Sequence, residues 1–240
     1  MTSNLESMKL SQKFIISAML DPWENIRSLT SELVIADNNL HKKRVCSYYN
    51  IDKKKRNGFC MVLGNVFADG EVICSHIWPS HMNGNFLESL GLSAADANNP
   101  RNFLRLNKSI EKAFDEKRLT FLKTPNKNEN IIQLKIVILD PDLKDEAKKD
   151  DNKNYYFVKG VKKYLKDLHN KYFVYKFAPN RKPYLRLLAM HTKCAIDKAR
   201  GIGWIPDDGQ FEEYRTRNIE LARLSLNGPG PSTVLDAFFN

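Results

Sequence analysis

The chain has 240 residues, of which 42% are hydrophobic and 28% are charged. This composition is typical of a soluble globular protein, and the length suits one domain with extensions or one domain with a small second one. Lys and Arg outnumber Asp and Glu by 38 to 28, which gives a net charge of +10. Such an excess favours a polyanionic partner, although many basic proteins bind no nucleic acid.

Helices are predicted for the N-terminal part of the chain. Apolar residues recur at helical spacing over 10–20, Asp21 with Pro22 begins a second helix, and 44–49 forms a third. The apolar run 14–20 is too short to span a membrane, and no apolar signal core precedes it. We therefore expect an intracellular protein, cytoplasmic or nuclear, without a signal peptide, a transmembrane segment or a membrane partner.

Two strands and a helix are predicted next. The apolar runs 59–63 and 72–77 form an antiparallel pair across a turn at 68–70, and Pro79 ends the second strand. Residues 80–100 form an irregular insertion, a length of loop that is often functional. Residues 108–117 then form a helix, because apolar side chains recur there at helical spacing.

Four short motifs in this stretch resemble the HNH endonucleases, the ββα-metal finger of many DNA-cutting enzymes. The motifs are Cys60-x-x-x-Gly64, His76-Ile77-x-Pro79, Asn102-x-Leu104-x-Leu106 and a helix ending in Phe114-Asp115. The resemblance covers roughly residues 59–122. It implies an α+β fold, in which a ββα-metal (HNH) core carries added antiparallel strands and is flanked by N-terminal and C-terminal helices.

The resemblance also assigns site residues. His76 falls on the first histidine of the family, the general base, and Asn102 on the middle asparagine, which braces the loop beside it. Glu111 falls on the last position, where the family binds its metal. Asp115, one helical turn later, is either a second or water-mediated ligand or a carboxylate paired with Lys112 or Arg118. His81 competes with His76 as the base, but it lies in a loop that would fix it poorly.

Two residues depart from the family pattern. Ser75 stands where many HNH enzymes carry a metal-binding aspartate or histidine, and Glu111 replaces a histidine or asparagine. A carboxylate at position 111 favours a hard cation, Mg²⁺ or Mn²⁺. No structural zinc is expected, because the four cysteines form no Cys-x-x-Cys pair. Cys60 and Cys74 are predicted to be small core residues.

The resemblance implies a metal-dependent endonuclease that hydrolyses phosphodiester bonds of nucleic acid, DNA in preference to RNA. Weak sequence preference is expected because no base-reading module is present. The alternative, favoured by Ser75 and Glu111, is a catalytically inactive nucleic-acid-binding module on the same scaffold. Five basic side chains flank the site and are expected to contact phosphates: Arg101, Arg105, Lys108, Lys112 and Arg118.

The remaining chain adds strands and helices to this core. Antiparallel strands are predicted at 119–123 and 131–139, helices at 155–168 and 183–200, and a short strand at 172–177. His191 is predicted to be hydrogen-bonded inside the last helix, beside the core. The predicted divisions are a helical extension (1–57), the HNH core with its following hairpin (58–141), a flexible charged loop (142–154), a helical region packed on the core (155–226) and a tail (227–240).

Overall fold

The computed structural model describes residues 31–82, 84, 87–124, 131–148 and 154–206, except the side chains of 31–39, 81 and 89. The helices predicted over 10–20 and from Asp21, and the predicted tail, lie outside these residues. The fold is a mixture of helices and small antiparallel sheets, which confirms the predicted α+β class.

The described helices are α1 (Ser31–Tyr48), α2 (Lys108–Asp115), α3 (Pro141–Lys144) and α4 (Leu185–Gly201). The strands are β1 (Val72–His76), β2 (Phe103–Asn107), β3 (Leu119–Lys123), β4 (Leu134–Ile138), β5 (Tyr155–Val158) and β6 (Val161–Tyr164). They pair antiparallel as β1–β2, β3–β4 and β5–β6. None of the described helices is long and apolar enough to cross a membrane.

The strand β1 pairs with β2, across the insertion, with His76 opposite Phe103. The prediction that 59–63 is the partner of β1 is wrong. Phe59 makes only an isolated bridge, and the Met61 N–H donates to the Arg105 carbonyl at 2.9 Å. The segment therefore lies along the other edge of β2. Every residue of β2 is buried, so the backbone groups on both of its edges need hydrogen-bond partners. The strand β1 supplies them on one edge and the segment 59–63 on the other.

The helix α2 follows β2 without a loop. The side chain of Asn107, the last residue of β2, accepts a hydrogen bond from the Ser109 N–H at 3.1 Å and so caps the helix. The helix packs on β1 and β2 and buries Ile110, Ala113 and Phe114. The predicted helix is thus confirmed, although it ends two residues earlier.

The helix α4 packs against β3, as part of a core that joins both halves of the described chain. His191 of α4 is buried, stacks on Phe114 at 3.7 Å between ring centroids, and shares hydrogen bonds with the Phe114 carbonyl and the Thr120 hydroxyl. The structural role predicted for His191 is confirmed. Burial lowers the pKa of its imidazole well below the ordinary value.

The helix predicted over 155–168 is wrong, because these residues form the β5–β6 hairpin and a 3₁₀ turn. Lys159 and Gly160 at its tip have φ values of 50° and 78°, as a two-residue hairpin turn requires. Apolar residues three or four apart fit a helix as well as this hairpin, so spacing alone misled the prediction.

The segment 172–177 does not form a regular strand, but Tyr172 bridges to Lys135 of β4 and Phe177 to Ile132, just before β4. Its Val174 and Tyr175 N–H groups also donate to the carbonyls of Val62 and Met61, both at 3.0 Å. The segment therefore connects the β1–β2 half of the core to β4.

Candidate active site

His76 is the last residue of β1 and is partly buried. Its ring packs against Phe103, directly opposite in the sheet, with 4.2 Å between ring centroids. The helix α1 brings a second imidazole, that of His41, to 5.9 Å from His76 and 4.5 Å from Phe103. His41 was not predicted, because its spacing in the sequence carries no motif.

Asn102 is fully buried and braces the chain that follows His76. Its Oδ1 accepts from the Trp78 N–H at 2.8 Å, and its Nδ2 donates to the Ala97 carbonyl at 2.7 Å. The Asn102 carbonyl also accepts from the Ile77 N–H at 2.8 Å. One residue thus ties the chain just before the insertion to the last part of the insertion, and so fixes the backbone beside the imidazole.

The insertion is also held from the start of α4. The Tyr184 hydroxyl donates to Asp96, and the Arg186 guanidinium donates to the carbonyls of Leu90 and Gly91. These contacts fix the middle of the insertion to a helix that is itself part of the core. Residue 81 lies in a 3₁₀ turn, but the side chain of His81 is outside the described residues, so its role as a competing base stays a prediction.

Ser75, just before His76, is buried, and its hydroxyl has no hydrogen-bond partner among the residues that the structure describes. Successive residues of a strand point to opposite faces, so Ser75 and His76 lie on different faces of β1. A buried hydroxyl without a protein partner is costly, and it is available to contact a bound ion or water.

Glu111 lies in the first turn of α2, and Asp115 is the last residue of that helix. The predicted partners of Asp115, Lys112 and Arg118, each approach Glu116 at 3.8 Å. Asp115 also acts on the buried Lys117: burial lowers the pKa of that ammonium, and the Asp115 charge opposes the shift. The role of Asp115 as a metal ligand stays a prediction.

The donors that the fold presents determine which metal would fit the site. Among the described residues, no group of three or more His, Cys, Asp or Glu side chains is arranged to hold a metal ion. The donors at the relevant positions, the Glu111 carboxylate and the Ser75 hydroxyl, are hard oxygens. They suit Mg²⁺ or Mn²⁺, which keep several waters and accept oxygens from a substrate. They do not make a four-ligand zinc site.

The predicted phosphate contacts divide into two classes. Lys108 and Lys112 are exposed on α2. Arg101 is half-buried, with its guanidinium 4.2 Å from the centre of the Tyr184 ring and its Nε donating to the Lys182 carbonyl. These three side chains remain candidates for contact with a polyanion.

Two of the predicted contacts have structural partners instead. Arg105 is fully buried and donates to the carbonyls of Phe59 and Asn57, both at 3.3 Å, so its placement on the binding surface is wrong. The physical reason is that β2 is covered on both faces. Arg118 is 13% exposed and forms an ion pair with Asp140 at 2.5 Å.

All four cysteines are buried free thiols, as predicted for Cys60 and Cys74. Burial raises the pKa of the Cys74 thiol to about 11. The Cys60 sulfur accepts a hydrogen bond from the Asn107 N–H at 3.3 Å. These thiols therefore belong to the core.

Comparison with protein families gives a match to part of the chain. Residues 60–122, about a quarter of the chain, match a family model described as HNH endonuclease. No curated protein and no solved structure matches the chain. The matched segment begins at Cys60, contains β1, the insertion, β2 and α2, and ends within β3.

Proposed function

We propose that this chain, whose residues 60–122 match the HNH endonuclease family, is a metal-dependent endonuclease that cuts DNA in preference to RNA. The observation that carries the proposal is the setting of His76. The imidazole stands at the end of β1, against Phe103, and the chain that follows it is fixed by the buried Asn102.

His76 acts as the general base in this proposal. The unperturbed pKa of an imidazole, about 6.5, lies near neutral pH, so a neutral His76 can take a proton from the attacking water. Packing against Phe103 limits the rotation of the ring, and Asn102 keeps the adjacent backbone in place. The base is therefore held in one position before the substrate arrives.

Glu111 would hold the divalent cation, with substrate oxygens and water completing its shell. When bound, such a cation stabilises the charge that develops on the phosphate and on the departing oxygen. Lys108 and Lys112, exposed on the same helix as Glu111, are proposed to bind neighbouring phosphates. Contacts of this kind read the backbone and not the bases, so sequence preference is weak.

A binding module without catalysis is the second candidate function. Two observations favour it: Ser75 replaces an ionisable ligand, and no cluster of three His, Cys, Asp or Glu side chains occurs in the described part of the chain. This candidate predicts salt-dependent binding to nucleic acid without cleavage in any divalent metal.

A cleavage assay separates the two. Purified protein is incubated with supercoiled plasmid or with structured RNA, in Mg²⁺, in Mn²⁺ and in EDTA. The nuclease proposal expects nicked plasmid with 5′-phosphate and 3′-hydroxyl ends in either metal, slower cutting of RNA and no cutting in EDTA. Binding to the plasmid without cutting in every metal would support the inactive module.

A further inference from the structure

The β5–β6 hairpin presents an aromatic and cationic outer face. Tyr155 pairs with Tyr164, and Phe157 pairs with Lys162, so these four side chains share one face of the two-stranded ribbon. The Phe157 side chain is 53% exposed. The Lys162 ammonium lies 4.1 Å from the centre of the Tyr155 ring. On the opposite face Tyr156 is buried, so the ribbon is fixed to the core from that side.

The charge of the ribbon has one sign. Residues 155–166 contain four lysines and neither Asp nor Glu. Lys159, at the tip, is exposed, Lys163 pairs with Tyr156 and so shares its face, and Lys166 is paired with Glu146. A surface that mixes exposed aromatic rings with lysines fits a polyanion that also offers flat apolar groups.

The ribbon adjoins the helix that carries Glu111. The Ser109 hydroxyl, in the first turn of α2, donates to the Tyr155 carbonyl at 2.7 Å. That turn also carries the exposed Lys108. The aromatic face therefore starts next to the part of α2 that we propose binds substrate phosphates.

We propose that the outer face of the β5–β6 ribbon binds an unpaired strand of nucleic acid. A base stacks on Phe157, and a neighbouring phosphate contacts Lys159 at the tip of the ribbon. The faces of the bases are hidden inside a duplex, which is why the ribbon is assigned to a single strand. The choice of a nucleic acid as the polyanion rests on the proposed function.

The test measures binding of the full chain in EDTA, where cleavage is absent. Fluorescence anisotropy gives Kd for a labelled single-stranded DNA oligonucleotide and for its duplex. Phe157→Ala is expected to raise Kd for the single strand by about tenfold, because one stacked base is lost. Phe157→Tyr is expected to keep most of the affinity, and Tyr172→Ala, at an aromatic side chain that is 48% exposed outside the hairpin, all of it.

Two lysine variants, one on the ribbon and one outside it as a control, test the phosphate contact. Lys159→Gln is expected to weaken binding and to make the slope of log K against log salt shallower by about 0.7, the value for one phosphate contact on a single strand. Lys171→Gln, an exposed lysine outside the ribbon, should leave the slope unchanged.

Three results would overturn the proposal. They are an unchanged Kd in Phe157→Ala, an equal loss of affinity for the single strand and the duplex, and no binding of the single strand by the wild-type protein. Because Phe157 is largely exposed, an unchanged thermal unfolding curve will show that its variants are folded. Cleavage with normal binding by Phe157→Ala would refute the ribbon and leave the nuclease proposal intact. Binding that depends on Phe157, without cleavage in any metal, would support the ribbon and refute the nuclease proposal.

Discussion

At the scale of single residues, burial decides which charged groups are free to bind a substrate. Arg105 and Lys108 are both basic residues beside the proposed site, but one is fully buried and the other is exposed. Their order along the chain does not distinguish them. They differ because other segments of the chain cover both faces of β2 and bury Arg105. The local sequence pattern does not show this cover.

Arg105→Ala should therefore change stability before it changes binding. The substitution leaves the Phe59 and Asn57 carbonyls without their donor, and the free energy of unfolding should fall by about 3 kcal/mol in urea denaturation. Lys108→Ala, at an exposed position, is the control and should change it by less than about 0.5 kcal/mol. If Arg105→Ala is as stable as wild type but binds DNA more weakly, Arg105 belongs to the binding surface after all.

Glu111→Gln tests the cation site. The substitution keeps the shape of the side chain but removes its charge, so Mg²⁺ should bind more weakly and cutting should slow with it. Titration of metal into both proteins, with and without an uncleavable oligonucleotide, measures the effect. Wild type should bind Mg²⁺ more tightly in the presence of the oligonucleotide, because phosphate oxygens complete the shell. Four equal affinities would show that Glu111 is not a ligand.

His191 predicts how stability depends on pH. Its pKa is well below 6.5 in the fold and about 6.5 in the unfolded chain, so the unfolded chain binds more protons between these values. Its contribution is complete above pH 6.5 and is lost as the pH falls below 6.5, by at most about 1.4 kcal/mol per pH unit. His191→Gln should remove that part of the slope in urea denaturation. The same slope in both proteins would contradict the buried neutral state.

At the scale of elements, the β5–β6 hairpin shows that the spacing of apolar residues can predict a helix wrongly. The residues of the turn are the better signal for a hairpin. Its Lys-Gly tip occupies two left-handed positions, where asparagine is favoured over lysine. A lysine at the first position gives a weaker sequence signal than asparagine would. The helix α4, with regular apolar spacing over several turns, was predicted correctly to within a few residues at each end.

Lys159→Asn should have opposite effects on stability and on binding. Asparagine adopts the left-handed conformation more readily, so the free energy of unfolding should rise by about 0.5 kcal/mol. Loss of the lysine charge should weaken binding of single-stranded DNA by a few fold. Thermal unfolding and anisotropy measure the two effects, and Lys171→Asn, at a position outside the ribbon, is the control for loss of charge. Weaker binding together with lower stability would point to damage to the hairpin.

At the scale of the whole molecule, the short sequence motifs predicted the family, whereas the pairing of distant strands determined how the elements are arranged. The roles proposed for His76, Asn102 and Glu111 come from local sequence, because their spacing belongs to one continuous unit. The pairing of β1 with β2, and the approach of His41 to His76, depend on contacts between segments far apart in the chain. Such contacts leave little trace in a single sequence.

The role of His76 is the central claim, and the rate of plasmid nicking by wild type and by His76→Ala tests it most directly. In Mg²⁺ the account predicts nicking by wild type and a loss of at least about a hundredfold in His76→Ala, the usual contribution of a general base. His169→Ala, which removes another partly buried histidine, should still cut. Equal rates for wild type and His76→Ala would contradict the account.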